Sequence, residues 1–209
     1  MATYASDSGG KDFDPVPEGS HLAVCDMFVD LGMQDSNYNG QHKTQHKIYL
    51  RWQIPSLRMK WTKDDVEHEG PMSIGSKFTL SLHEKASLRK ILQSWRGKAF
   101  TPEELKKFDV TTILGKPCLI TVTHEPKDGG GVYANVGAVA KLPPGVPPPT
   151  LEGETLLYDA DNLGTFEKLR PWLQEAIKAQ KLEDDPPEQR PGDSERAAAY
   201  ADLDDDVPF

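Results

Sequence analysis

Cysteine is nearly absent: Cys25 and Cys118 are the only two thiols in 209 residues. Both sit in apolar, strand-like segments, which points to reduced, buried thiols and away from a disulfide framework or a thiolate metal site. Long hydrophobic runs are missing too, and nothing approaches the ~20 apolar residues needed to span a bilayer as a helix. The hydrophobic fraction is 37% and the mean hydropathy −0.59, so part of the chain lacks the material for a core. The opening stretch, MATYASDSGGKDFDP, lacks the basic-then-apolar pattern of a secretory leader. The expectation is a cytoplasmic protein with no membrane partner. Signatures of catalysis are equally scarce. His42 and His46 stand four apart without a third ligand. Asp64-Asp65 and Glu103-Glu104 have no companion site. Gly129-Gly130-Gly131 is not followed by the Gly-Lys-Ser/Thr of a phosphate loop. No nucleophile pairs with a base. The expectation is a protein that is not an enzyme and uses no cofactor and no metal.

What is present is segregated charge. The net charge is −9, which argues against a nucleic-acid partner until its distribution is considered. Residues 41–116 carry fifteen Lys and Arg against eight Asp and Glu, whereas residues 180–209 carry ten acids against three bases. A basic body with an acidic tail fits a polyanion-binding surface. Exposed lysines kept for solubility give the same count.

Along the chain, residues 1–14 are rich in Gly, Ser and Asp and read as disordered. His21–Leu31 reads as a long strand, with Gly32 as a bend or bulge. Gln34–Gln45 reads as a polar loop around an Asn39-Gly40 turn. His46–Pro55 alternates strictly, with Ile48, Leu50, Trp52 and Ile54 on the core face and Lys47, Tyr49, Arg51 and Gln53 on the other. Ser56–Gly70 is polar and reads as an excursion. Pro71–Leu82 reads as a third strand. The period then changes. Glu84–Trp95 places Leu88, Ile91, Leu92 and Trp95 at helical spacing, with Gly97 as a stop. Thr101, Pro102 and Glu104 form a capping box that starts a short helix ending near Phe108. Lys116–His124 and Val132–Leu142 read as two more strands.

Strand, strand, strand, helix, strand, strand is the order of an OB-fold, a five-stranded partly open barrel. The fold class expected is therefore mainly β: a five-stranded OB-fold barrel with a helix between strands 3 and 4. A C-terminal helix and a disordered acidic tail are added to it. The barrel is assigned to residues 15–142. Residues 143–182 read as a stiff Pro-rich linker, an edge strand at Leu156–Tyr158, and a helix starting near Pro171 that packs on or near the barrel. Residues 183–209 read as disordered.

Single-stranded nucleic acid needs cations for its phosphates and flat side chains for its unstacked bases. The outward face of the second strand offers Lys47, Tyr49 and Arg51, and the third strand adds Lys77. In OB-folds those strands face the ligand, flanked by the loops between strands 1 and 2 and between strands 4 and 5. The first loop holds Tyr38, His42 and Lys43. The second holds Lys127 and the three glycines, followed by Tyr133. Trp61, beside Arg58, Lys60 and Lys63, reads either as a stacking platform or as a loop anchor. Trp52 and Trp95, on apolar faces, read as core.

The chain as given ends Asp204-Asp205-Asp206-Val207-Pro208-Phe209, a run of carboxylates followed by a stiff apolar tip. Aspartates steer toward a basic surface, Pro208 limits the entropy lost on ordering, and Phe209 fills an apolar pocket. This tip closely resembles the C-terminal tip of bacterial and phage single-stranded DNA-binding proteins. The body segments SLHEKASLRKILQSWRGKAFTPEEL, LGKPCLITVTHE and YANVGAVAKLP are similar to a family of tailed-phage OB-fold proteins that bind single-stranded DNA. The resemblance implies a protein that coats single-stranded DNA in phage replication or recombination. It also implies that the tip, through Asp204, Asp205, Asp206, Pro208 and Phe209, recruits replication or recombination proteins. The setting implied is the host cell cytoplasm, with a monomer or dimer expected. Two other readings stand beside it: a strand-annealing recombination protein, and an interaction adaptor whose acidic tail mimics DNA.

Overall fold

The computed structural model describes residues 14–38, 41–63 and 65–181. The docking residues Asp204, Asp205, Asp206, Pro208 and Phe209 lie outside them.

Three long strands come first: β1 (Gly19–Tyr38), β2 (Gln41–Lys63) and β3 (Val66–Thr79). Helices α1 (Ser87–Arg96) and α2 (Pro102–Lys106) follow, then a 3-10 turn at Val110–Ile113. Strands β4 (Pro117–Pro126) and β5 (Val132–Ala140) complete the order read from the sequence. The antiparallel ladder runs β3-β2-β1-β4-β5. Strand β1 is thus shared, pairing with β2 along one part and with β4 along another. β3 and β5 approach each other at the two ends of this order, with no ladder between them among the described residues. A closed barrel is therefore not established by pairing.

The alternation in β2 has the expected consequence. Ile48, Leu50, Trp52 and Ile54 are all fully buried, together with Leu88 and Leu92 of α1 and Ile120 and Val122 of β4. Trp52 packs against Phe78 and Trp95. The Trp95 indole N–H donates to the Pro117 carbonyl at 2.8 Å, whereas that of Trp52 has no acceptor among the described residues. Thr101 caps α2 through the capping box, with Pro102 in its first turn. That helix stops at Lys106, short of Phe108, because Phe108 turns onto Phe100.

Two expectations are corrected. Gln34–Gln45 is not a loop: β1 and β2 continue their pairing to Tyr38↔Gln41. Ser56–Gly70 is not an excursion either. A bulge between Ile54 and Arg58 re-registers β2, after which the β2–β3 pairing runs out to Lys63↔Val66. In Ser56–Thr62 the alternation persists at lower burial: Leu57, Met59 and Trp61 are half-buried, the first two against the core, while Ser56, Arg58, Lys60 and Thr62 are exposed.

The edge strand at Leu156–Tyr158 and the helix from Pro171 form where the sequence places them and pack on the sheet, and the Pro-rich segment before them is itself tied down. The amide of Glu152 and its carbonyl bracket the buried Gln53 amide at 2.7 and 2.9 Å, pinning the Pro-rich segment to β2. β6 (Leu156–Tyr158) then pairs parallel with Met27–Val29 of β1. A 3-10 turn (Leu163–Lys168) leads into α3 (Pro171–Lys178), which Pro171 opens as expected. These elements build a second core from Met27, Val29, Leu31, Tyr158, Leu169, Leu173 and Ile177 on the other face of β1. Among the described residues no helix is long and apolar enough to cross a membrane.

Candidate functional site

A groove of about 800 Å³ runs between the outer part of the β2–β3 hairpin and the β4–β5 turn. The hairpin contributes Arg51, Met59, Trp61, Ser73 and Gly75 to its lining, the β4–β5 side contributes Lys127 and Tyr133, and Arg170 adds a third cation. Four residues singled out in the sequence therefore meet here: Arg51, Trp61, Lys127 and Tyr133.

Each is positioned by a local cause. Tyr133 stands 58% exposed near the start of β5, and the Lys127 ammonium lies 4.7 Å from its ring centroid. The two are brought together by the turn at Gly129-Gly130-Gly131, where φ is +95°, +103° and +81°. Only glycine takes three such conformations in succession without strain. The turn closes with the Lys127 N–H donating to the Gly131 carbonyl at 3.1 Å. Trp61 stacks on His68, its cross-strand neighbour, with centroids 5.6 Å apart and planes 17° apart. Its ring also lies over the buried Gly70, where an added Cβ would come within 3.0 Å. Trp61 is thus both anchor and groove lining, half-exposed on a strand rather than in a loop.

Arg51 is held differently from the free cation expected. Its Nε donates to Asp26 Oδ1 at 3.1 Å and its Nη2 to Oδ2 at 2.7 Å. Asp26 is only 4% exposed. The pair orients the guanidinium toward the groove and offsets much of its charge. Lys127 and Arg170 have no acidic partner among the described residues, so the uncompensated positive charge of the groove is theirs. Arg170 was not singled out in the sequence. It lies in a segment read as peripheral, and its approach to β2 depends on α3 packing back across the sheet.

The remaining residues separate from the groove. Tyr49, expected to be an open stacking platform, meets Trp172 of α3 edge-on at 5.1 Å and lies over Gly75, where a Cβ would fall 2.1 Å from its hydroxyl. Burial pushes its phenol pKa up. Lys77 sits 5.3 Å from the Trp172 ring centroid. Lys47 donates to Gln45 and to Thr79, and desolvation lowers its pKa. Tyr49 is therefore covered by the chain's own C-terminal helix, while Lys77 stays exposed beside it. Arg58 is tied to both Glu69 and Glu152, which hold its pKa up. Lys43 is exposed on the β1–β2 hairpin, and the backbone of Tyr38 ends β1 there.

Among the described residues no group of three or more His, Cys, Asp or Glu is placed to hold a metal ion. No family model matches the chain, and no curated protein matches it.

Proposed function

We propose that this chain is a single-stranded DNA-binding protein of the OB-fold type, serving phage replication or recombination without catalysis. One observation carries the reading. A single groove is lined by two aromatic side chains, the half-exposed Trp61 of β2 and the exposed Tyr133 of β5, together with the cations Arg51, Lys127 and Arg170. Aromatic faces accept bases only when those bases are unstacked, which selects single strands over duplex. The cations follow the phosphates and carry no sequence information. The strand order supports the fold assignment: an OB-fold likewise shares its first strand between two ladders and binds between strands 2 and 3 and the turn joining strands 4 and 5. In this reading the acidic tip at Asp204, Asp205, Asp206, Pro208 and Phe209 recruits the proteins that act on the coated strand.

The test is a titration with oligo-dT followed by tryptophan fluorescence at two salt concentrations. Saturable quenching that weakens with salt is expected, with duplex of the same length binding far less. An absence of quenching and of any mobility shift at low salt sinks the proposal.

A further inference from the structure

A second cavity, of about 550 Å³, opens at the other end of β4 and β5. That volume falls within the ~300–1,000 Å³ typical of ligand sites. Its floor is apolar, formed by Leu92 and Trp95 of α1 with Phe108 and Ile113. Its rim is basic, formed by Arg96, Lys116 and Lys141. Neither Lys116 nor Lys141 has an acidic partner among the described residues. Arg96 is wedged between the rings of Phe100 and Phe108 and paired with Glu104, and its buried Nη1 has no acceptor among the described residues.

We propose that residues 202–209 of this same chain dock in this cavity, Val207, Pro208 and Phe209 on its floor and the aspartates on its rim. The complementarity is specific in both halves. The segment places three consecutive aspartates immediately before three apolar residues, and the cavity places three cations around an apolar floor. Reach is sufficient: residues 182–201 separate the segment from Lys181, whose amide is fixed to the Met33 carbonyl at 2.9 Å. Twenty residues span up to about 66 Å when extended. A domain of this size has a radius of gyration of only about 15 Å. Docking leaves the groove open, because β5 runs from Val132 in the groove to Ala140 beside the cavity. The nine residues of β5 separate the two sites by about 27 Å. A partner protein that captures the tip must then compete with the chain's own cavity.

The test uses the full chain with its four tryptophans ¹⁵N-labelled. Phe209→Ala is expected to move the Trp95 indole resonance and leave those of Trp61 and Trp172 in place. A peptide of residues 201–209, amidated at its C-terminus and added to the Phe209→Ala chain, should restore the shift saturably. Its affinity should fall at least tenfold when Lys116→Glu and Lys141→Glu are combined. An unmoved Trp52 resonance in that variant shows that the core is intact. Should the combined variant not fold, the salt dependence of peptide binding to the Phe209→Ala chain decides instead: no weakening from low to high salt overturns the basic-rim assignment. A shift at Trp61 in place of Trp95 puts the tip in the groove and overturns the proposal. A Trp95 shift that disappears on dilution assigns the cavity to a second copy and overturns it as well. No indole shift on Phe209→Ala has the same consequence.

Discussion

Tyr133 and Arg51 line one groove, but their substitutions are expected to report different things. Tyr133 is exposed and its ring lies against the Lys127 ammonium, so Tyr133→Ala should leave the melting temperature nearly unchanged. It should weaken oligo-dT binding by about 1–3 kcal/mol, as a lost stacking platform does. Arg51→Ala strips the partner from a buried carboxylate. Breaking such a pair costs about 3–5 kcal/mol of stability. Urea denaturation should therefore show a clear loss for Arg51→Ala, and its DNA affinity is interpretable only beside that loss. Two thiols make a further residue-scale case. Burial pushes the Cys118 pKa up to about 12, and that of Cys25 is raised by burial and by the neighbouring Asp26. A thiol reacts as its thiolate, which lies many-fold below the thiol at neutral pH here. Ellman's reagent should label neither cysteine in the native protein and both after unfolding. Fast labelling of either in the native state would show that the apolar segments around them are open.

At the scale of elements, α3 decides what the outer face of β2 can do. Leu173 and Ile177 seat the helix on Met27, Val29 and Leu31, and Trp172 covers Tyr49. Leu173→Ala removes a fully buried side chain. The cost for such a change is about 2–5 kcal/mol. It should raise hydrogen exchange first at Lys181, whose N–H bonds to Met33, and at the paired amides of Leu156–Tyr158. Unchanged exchange there would mean that β6 is held by the Gln53–Glu152 bracket alone. Lys181 adds a polar tie: its ammonium lies 2.8 Å from Asp35 and, with Thr44, holds that carboxyl below the usual carboxylate range. Along the same sheet, the β2–β3 hairpin carries Trp61 outward, and the bulge after Ile54 sets which face that ring takes.

For the whole molecule, the two charge populations should act separately. About two phosphate contacts, by Lys127 and Arg170, predict a slope near −1.4 for log K against log salt, at roughly −0.7 per contact on single strands. A slope several times steeper would bring the lysines outside the groove into the site. Deleting residues 202–209 is expected to leave the melting curve near its original midpoint. It should abolish capture of replication or recombination partners, and leave oligo-dT affinity equal or slightly higher at low salt. Weaker DNA binding after the deletion would make the tip part of the DNA site. Much of this architecture could be read in the linear chain. Alternation in His46–Pro55, helical spacing in Glu84–Trp95 and the Thr101–Glu104 box are local patterns, and local patterns follow from which neighbours share a face. Trp52 in the core and Pro171 at a helix start were legible for that reason. The same patterns fail where burial is set by distant partners. Tyr49 alternates with Lys47 and Arg51 and so looks open, yet Trp172, 123 positions further on, covers it. Arg51 looks free until Asp26, on the adjoining strand, is seen to hold it. Composition, the order of elements and the segregation of charge are properties of the chain read in one dimension. Which aromatic faces stay accessible, and which cations keep their charge, depends on segments that meet only when the sheet folds and the C-terminal helix packs back across it.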